Sequence, residues 1–446
     1  MSAIDSRPVE PVPITWFEDA SATHPRPPRF MNLNVDSRDR VYVARQAILY
    51  PSGQIYGYEL LYRGTAADTS CVAAGDIAGA RVLTDALLNL GLDNLTDGHI
   101  AFLNLTRELL LAGAGEVLPK AAVVLELRED ITIDAAIIET CRALQAKGYV
   151  LALDDFEPGS PAEALMPFVK FVKVDVLNTT SEQRRELAAR LLPRGLTLLA
   201  EKVETEADVR EATDAGYRLL QGYFFCKPAT IAGPSMHAER LGYLRMLATL
   251  NKPDVGVREL EAILKGDPAI TYRVLRSINS AAFGIRQEIR SIRQALILLG
   301  TGRIRQWASI WALAGVHDGG SPETMNLAVV RARCCEQIAA ATTGSASGAE
   351  CFLLGLCSML DAMMGKPMVD VVRDLPLADD IRDALTGAPN AKRDLLDAVT
   401  SYERGSWQDA EQAAARARFA FDALPPAYAD ALRWGRELSR AAKAAA

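Results

Sequence analysis

Short, dense apolar runs recur along the first half of the chain, separated by segments with a different hydrophobic spacing. Seven of the runs read VYVARQAIL, IAFLNLT, AVVLELRE, YVLALDD, FVKVDV, LTLLAEKV and YRLLQGYFF. Runs of this kind are typical of strands that are buried on both faces of a parallel sheet. Between most of them lie segments with helical spacing, such as IDAAIIETCRALQAKG and SEQRRELAARLLPRG, each closed by a glycine. Alternating strands and helices predict a parallel sheet, and about seven units favour a closed (β/α) barrel over an open sheet.

The strand pattern stops after about Pro234, and the rest of the chain has helical periodicity. Helical spacing is found in VRELEAILKGDPAITYRVLRSINS, SIRQALILLGTGRIRQWASIWALAG and MNLAVVRARCCEQIAAATTG, with breaks at Gly266-Asp267-Pro268, Gly284 and Gly300. We therefore predict an α/β fold class for the chain in three parts. These are a proline-rich N-terminal extension over residues 1–38, a barrel domain over 39–235 and an all-α domain over 236–446.

Composition places the chain among ordinary globular proteins. Its 446 residues are 49% hydrophobic and 24% charged, which is enough to bury more than one core. A net charge of −7 argues against a general nucleic-acid binder. No apolar run reaches the roughly 18 residues of a membrane span. The N-terminus has no basic region followed by an apolar core, which predicts no signal peptide. Seven cysteines, an odd number, fit a reducing cytosol. We expect a cytoplasmic protein without a membrane segment.

Polar side chains stand at the ends of the predicted strands. Asp154 and Asp155 follow one apolar run directly, and two adjacent carboxylates repel each other unless positive charge lies nearby. The C-terminal strand ends of a barrel face one pocket. In chain order these ends provide Glu59, Asn104, Glu126, Asp154, Asp155, Lys173, Glu201 and Gln221. Each residue alone is more often a loop cap or a surface ion pair. Together they predict a hard-oxygen site for Mg²⁺ or Mn²⁺, suited to displacement at a phosphodiester.

The same residues carry a resemblance to a known family. GYELLYR, LNLT, LELRE, LDDF, VKVD, AEKVE and QGYFFCKP resemble, in order, the motifs of the EAL cyclic di-GMP phosphodiesterases over residues 41–228. The resemblance implies a TIM-like barrel with two Mg²⁺ or Mn²⁺ ions. By the match, the metal ligands would be Glu59, Asn104, Glu126, Asp154, Asp155 and Glu201, with Asp155 at the second ion. The catalytic residues would be Lys173, Glu201 and Gln221, and the substrate-binding residues Gln46, Arg63 and Glu204.

The chain departs from the family pattern in places that concern movement. Leu60 replaces the small alanine of the EAL motif, and Ala47 replaces the proline that usually follows Gln46. The flexible DDFGTG loop reads DDFEPG here, and Pro158 restricts the backbone on both sides. Lys202 takes the place of a glycine in AEGVE. We expect the site to be retained and any hydrolysis of cyclic di-GMP to be slow.

The second half resembles another family. LKGDPAITYRVLRSINSAAFGIRQEIRSIRQALILLG resembles the HD-related output domain, HDOD, over residues 244–424. A barrel followed by this domain resembles the EAL–HDOD signalling proteins. The resemblance implies cyclic di-GMP as ligand and a protein partner, not yet identified, that binds the HDOD domain; a homodimer is also open. The alternative is a scaffold whose barrel has lost the nucleotide. A true HD hydrolase is disfavoured, because this half has only His237 and His317, and His317-Asp318 indicates a polar loop.

Arginines are concentrated in one stretch of the second half. They are Arg273, Arg276, Arg286, Arg290, Arg293, Arg303 and Arg305, against the single acid Glu288. Such a stripe could meet an acidic partner or a nucleic-acid backbone. The simpler interpretation is a set of solvated helix faces, and both remain open from the sequence.

Overall fold

The structure is a computed structural model that describes most of the chain from Tyr42 onward. The described residues are 42–63, 91–222, 224, 243–244, 246–247, 249–251, 255–267, 270–271, 274–275, 278, 289, 291–316, 321–343, 345–373, 375 and 377–445. The predicted extension over residues 1–38 lies outside them. So do His237, His317, Glu288 and four of the stripe's arginines, Arg273, Arg276, Arg286 and Arg290.

Within the described residues, eight strands form a closed barrel in the order β1 to β8. They are β1 Tyr42–Leu49, β2 Ile55–Arg63, β3 Ile100–Leu105, β4 Val123–Leu127, β5 Val150–Leu153, β6 Phe171–Asp175, β7 Thr197–Glu201 and β8 Leu219–Gln221. The predicted closed barrel is confirmed. The seven predicted strands left out β2, which appeared in the sequence only as the motif GYELLYR.

The sheet is not parallel throughout, contrary to the prediction. β1 pairs antiparallel with both β2 and β8, while the pairs from β2 to β8 are parallel. The reason is the short connection over residues 50–54. Parallel neighbours need a crossover of a dozen or more residues, whereas a turn this short joins antiparallel strands.

The barrel interior is arranged in two layers. Its floor is an apolar cluster of Ile48, Phe102, Val124, Ala152, Phe171, Leu199 and Leu219. Successive side chains of a strand point to opposite faces, so the residue two positions after an inward one also points inward. This places polar residues above six of the floor residues, at Asn104, Glu126, Asp154, Lys173, Glu201 and Gln221. The polar layer therefore lies directly above an apolar layer.

Helices cover the outer face of the parallel strands. They are α1 Leu92–Thr96, α2 Arg107–Leu111, α3 Ala135–Ala146, α4 Ser181–Leu191 and α5 Glu206–Asp214. Side-chain oxygens of Asp134, Thr180 and Thr205 cap the N-termini of α3, α4 and α5. The two predicted terminal glycines, Gly148 and Gly195, have φ of 85° and 78°, a conformation that glycine adopts at little cost. Both predicted helices are confirmed.

The second half is helical where it is described, as predicted. Its helices are α6 Val257–Lys265, α7 Ile292–Leu299, α8 Thr301–Val316, α9 Pro322–Thr343, α10 Ser345–Cys357, α11 Leu360–Met364, α12 Met368–Val372, α13 Asp379–Thr386, α14 Ala391–Glu403, α15 Trp407–Arg416 and α16 Leu424–Ala445. The predicted break at Gly300 separates α7 from α8, with φ of 81°. None of the helices described here is long and apolar enough to cross a membrane.

The residues from Asp39 onward form one compact unit. The β1–β2 hairpin has no crossover helix of its own, and helices of the second half pack on it instead. The Tyr58 hydroxyl donates to Glu323 Oε2 of α9 at 2.8 Å, and the Tyr402 hydroxyl of α14 donates to the Val43 carbonyl at 3.3 Å. The barrel and the helical half therefore share an interface at this hairpin. The domain limits at 39–235 and 236–446 remain predictions.

The described arginines of the stripe differ in their surroundings. Arg293 is 67% exposed, with Nε 3.5 Å from Glu261 Oε2. Arg303 is exposed on α8, whereas Arg305 Nη2 donates to the Val255 carbonyl at 3.0 Å. Arg305 thus makes a contact inside the fold, and Arg293 and Arg303 face solvent.

Candidate metal centre

A buried lysine lies at the centre of the polar layer. Lys173, on β6, has no exposed surface. Its Nζ lies 3.1 Å from Glu59 Oε2, 3.0 Å from Glu126 Oε1, 2.7 Å from Asp154 Oδ1 and 2.9 Å from Glu201 Oε1. A buried ammonium persists only where opposite charges and hydrogen bonds compensate for lost water. We call Lys173 and these four carboxylates the carboxylate cage.

Side-chain amides fix the orientation of Glu59. Asn104 Nδ2 donates to Glu59 Oε1 at 2.7 Å, and Gln221 Nε2 donates to Glu59 Oε2 at 2.6 Å. Gln46 Oε1 accepts from the same Gln221 nitrogen at 3.0 Å. Because both amides use their nitrogens on Glu59, their oxygens are left for another partner.

The cage contains more negative than positive charge. Burial raises the pKa of Glu126 well above its usual range, against the opposing influence of Lys173, and the neighbouring carboxylates raise it further. Burial likewise raises the pKa of Glu201 to about 8. Burial lowers the pKa of Lys173, but the four carboxylates, Asp154 first, more than reverse this and hold it well above its usual value. Lys173 therefore stays charged, and the cage holds protons unless another cation enters.

The residues present fit a divalent cation. One oxygen each from Glu59, Glu126 and Asp154 lie within 4.8 Å of one another, the one such carboxylate group among the described residues. Several buried oxygens in and beside this group make no hydrogen bond within the described part of the chain. They are Asn104 Oδ1, Glu126 Oε2, Glu201 Oε2 and Gln221 Oε1. Carboxylate and amide oxygens are the ligands of Mg²⁺ and Mn²⁺. An ion bound here would supply the missing positive charge.

Asp155 lies outside this group and faces a different cation. Its φ is 40°, and its Oδ2 lies 3.5 Å from Lys202 Nζ. The same ammonium lies 2.6 Å from Asp175 Oδ2. Asp175 ends β6 two positions after Lys173, so the alternation along Phe171-Lys173-Asp175 could have identified it from the sequence. It was missed because only Lys173 was taken from this strand.

A cavity of about 450 Å³ opens beside the two aspartates. Its lining includes Asp154, Asp155, Glu157, Asp175 and Arg128. The altered loop forms part of this wall. Its start is pinned, because the Phe156 N–H donates to the Lys173 carbonyl at 2.9 Å. The loop that departs from the family pattern thus borders the candidate metal centre directly.

The three residues predicted to bind substrate lie in different places. Gln46 joins the cage through Gln221. Arg63 is the last residue of β2, and its side chain lies outside what the structure describes. Glu204 lines a second cavity of about 440 Å³ together with Arg331, Arg404 and other residues of the helical half. The roles of all three, and of the predicted ligands and catalytic residues, remain predictions.

The fold and the site together define a class of protein: a barrel with one antiparallel strand and a cluster of carboxylates at its strand ends, joined to an all-α domain. The family model of the EAL domain matches residues 82–228, and that of the HDOD domain matches residues 242–369. Glu59 and its motif precede the matched EAL range.

Two curated relatives match most of the chain. The uncharacterized protein YuxH of Bacillus subtilis is 33% identical over 376 residues, 82% of this chain and 92% of the relative. The cyclic di-GMP phosphodiesterase CdgJ of Vibrio cholerae is 30% identical over 417 residues, 93% of this chain and 96% of the relative. The chain belongs to the EAL–HDOD family. Among solved structures, the calcium/cy-diGMP complex of Klebsiella pneumoniae BlrP1 matches at 24% identity and TM-score 0.36, covering 42% of this chain and 55% of that chain.

Proposed function

We propose that the barrel binds cyclic di-GMP with Mg²⁺ or Mn²⁺ and hydrolyses it slowly, and that the helical domain relays its state to a protein partner. The observation that carries this proposal is the carboxylate cage with its unpaired buried oxygens at the strand ends. The chain's membership of the EAL–HDOD family supports cyclic di-GMP as the ligand, because the relative CdgJ bears the name cyclic di-GMP phosphodiesterase.

The ligands of the ion would be Glu59, Asn104, Glu126, Asp154 and Glu201. Once bound, the ion would lower the pKa of a coordinated water and polarise a phosphoryl oxygen. Asn104 and Gln221 keep Glu59 in a single orientation by their hydrogen bonds. A ligand that is already fixed does not have to be ordered when the cation arrives.

Lys173 and Glu201 would have different roles in proton movement. Because the pKa of Lys173 is held well above its usual value, its ammonium does not accept a proton near neutral pH and acts as a fixed positive charge. Glu201 has a pKa of about 8 in the absence of metal, and its Oε2 is unpaired within the described residues. A carboxyl that titrates near neutral pH can take up or release a proton there. We assign Oε2 of Glu201 as the atom that carries this proton while no metal is bound and that would release it when the ion binds.

Slow turnover follows from the loop after Asp155. Pro158 fixes its own φ and restricts Glu157 to extended conformations. A loop that closes over a substrate needs freedom at such positions, and lid movement limits the rate of many enzymes. The proposal therefore includes nucleotide binding without rapid hydrolysis.

An assay of cyclic di-GMP hydrolysis in Mg²⁺ or Mn²⁺ tests the proposal. Chromatography measures the conversion to the linear dinucleotide. We expect slow, metal-dependent conversion by the wild type and none by Glu126→Gln. Glu139→Gln is the matched control, because Glu139 is 66% exposed on α3 and pairs only with Arg142 in the described structure. Conversion by Glu126→Gln at the wild-type rate would contradict the proposed site. If the wild type neither binds nor converts cyclic di-GMP, that result would favour the scaffold alternative.

Partner, location and assembly belong to the same proposal. Membership of the EAL–HDOD family supports a protein partner for the helical domain, and a homodimer stays open. The described cysteines, Cys141, Cys334, Cys335, Cys351 and Cys357, are buried and unpaired, which supports a reducing cytoplasm.

A further inference from the structure

Among the described residues, Lys173 and Lys202 both form ion pairs with carboxylates at the acidic end of the barrel. Of the two, only Lys173 is fully buried. Lys202, the first residue after β7, keeps 47% of its side chain exposed. Its Nζ lies 2.6 Å from Asp175 Oδ2 and 3.5 Å from Asp155 Oδ2. These aspartates follow or end the neighbouring strands β5 and β6. Lys202 thus bridges two carboxylates at the outer edge of the cage.

The backbone at both ends of this contact is unusual. Lys202 has φ of 56° and Asp155 has φ of 40°. This left-handed region suits glycine, tolerates aspartate and asparagine, and is uncommon for lysine. A glycine would hold the same backbone with less strain. The presence of lysine is therefore explained by its ammonium and not by the backbone conformation.

The ammonium and a second divalent cation would compete for the same oxygens. Glu59, Glu126 and Asp154 converge on one place, while Asp155 and Asp175 already face Lys202. The Lys202 ammonium and a second divalent cation on these oxygens would repel each other strongly in a partly buried site.

We propose that Lys202 takes the place of a second divalent cation, so that this chain binds one Mg²⁺ or Mn²⁺ instead of a pair. This inference rests on the proposed metal-dependent function. A lysine side chain is charged at neutral pH, and this ammonium lies within ion-pair distance of both aspartates, 2.6 Å from Asp175 Oδ2 and 3.5 Å from Asp155 Oδ2. The hard cation bound by the cage and the tethered ammonium then share the acidic end of the barrel.

The number of Mn²⁺ ions bound by the full chain tests the proposal directly. Equilibrium dialysis with metal analysis should give one ion per chain for the wild type and two for Lys202→Gly. Mn²⁺ electron paramagnetic resonance supplies a second readout. Two ions about 3.5–4 Å apart, as in paired sites, are magnetically coupled, whereas a single ion is not.

Two further variants separate charge from backbone strain. Lys202→Asn removes the charge but keeps a residue that tolerates positive φ, so it should also bind two ions. Arg418→Gly is the control, because Arg418 is exposed in the helical half and has φ of 61°. It relieves a similar strain at a residue outside the cage and should bind one ion. Two ions on the wild type, or one on both Lys202 variants, would overturn the inference and leave the proposed function standing. No ion on any of these proteins would overturn both.

Discussion

At the scale of single residues, the charge on Lys173 does not balance the four carboxylates around it. Bound protons reduce the excess negative charge, because burial raises the pKa of Glu126 and Glu201. A divalent cation would displace those protons. The state of the cage should therefore depend on both pH and metal.

We expect thermal stability without divalent ions to fall as the pH rises from about 5 to 8. The pKa of Glu201 rises from 4.5 to about 8 in the folded protein, so the folded state binds a proton that the unfolded chain has released. Stability from such a group is complete below the ordinary carboxyl pKa and is lost as the pH passes the folded value. Glu126 acts in the same direction. Melting curves with a chelator and with Mg²⁺ measure this, and Mg²⁺ should flatten the profile. A profile unaffected by Mg²⁺ would contradict it.

Removing the central ammonium should be costly. Lys173→Met leaves the four carboxylates without their buried partner, and we expect a loss of about 3–5 kcal/mol in the free energy of unfolding. Urea unfolding in a chelator measures it. Lys170→Met is the matched control, because Lys170 is exposed and its Nζ bonds only the Gly195 carbonyl among the described residues, at 2.8 Å. Equal losses in the two variants would mean that the cage does not depend on Lys173.

At the scale of elements, the strands and their ends were predictable, while the loops were not. Dense apolar runs identified seven strands and the polar residues at their ends. β2 was overlooked because its residues were interpreted only as a motif. The antiparallel pairing of β1 was missed because the length of the turn between β1 and β2 was not considered. The contact of Lys202 with Asp155 depends on two left-handed residues in separate loops. Neither hydrophobic spacing nor propensity specifies such a conformation for these residue types.

Restoring flexibility to the loop after Asp155 should raise turnover. The double change Glu157→Gly and Pro158→Thr removes the fixed φ, and we expect a severalfold increase in the rate of hydrolysis at saturating nucleotide. Chromatographic initial rates measure it. Pro119→Ala controls for the loss of a proline elsewhere in the barrel, in the turn before β4. An unchanged rate in the double variant, or rapid hydrolysis by the wild type, would show that the loop does not limit turnover.

At the scale of the whole molecule, the β1–β2 hairpin belongs to both halves of the described structure. Glu59 points from β2 into the cage, while the adjacent Tyr58 bonds the buried Glu323 of α9. Arg45, on β1, lies 4.2 Å from the centre of the Tyr58 ring. Neighbouring residues of one strand therefore contact the carboxylate cage and the helical domain, so the two halves should unfold together.

Tyr58→Phe tests this coupling. Loss of the hydrogen bond to buried Glu323 should cost about 1.5–3 kcal/mol. Within the described residues the tryptophans Trp307, Trp311, Trp407 and Trp434 all lie in the helical half. Their fluorescence should nevertheless report a lower urea midpoint for this barrel variant. Tyr50→Phe, at a tyrosine 39% exposed in the hairpin turn, should leave the midpoint unchanged. An unshifted midpoint in Tyr58→Phe would indicate halves that unfold separately.

The central claim is that the cage binds a divalent cation and thereby cyclic di-GMP. Isothermal titration of the full chain with cyclic di-GMP, in Mg²⁺ and in a chelator, tests it most directly. We expect binding in Mg²⁺ that is weakened at least about tenfold, or 1.4 kcal/mol, in the chelator. Glu59→Gln should show the weakened binding under both conditions. Equal heats for the wild type with and without Mg²⁺, or none at any concentration, would contradict the claim.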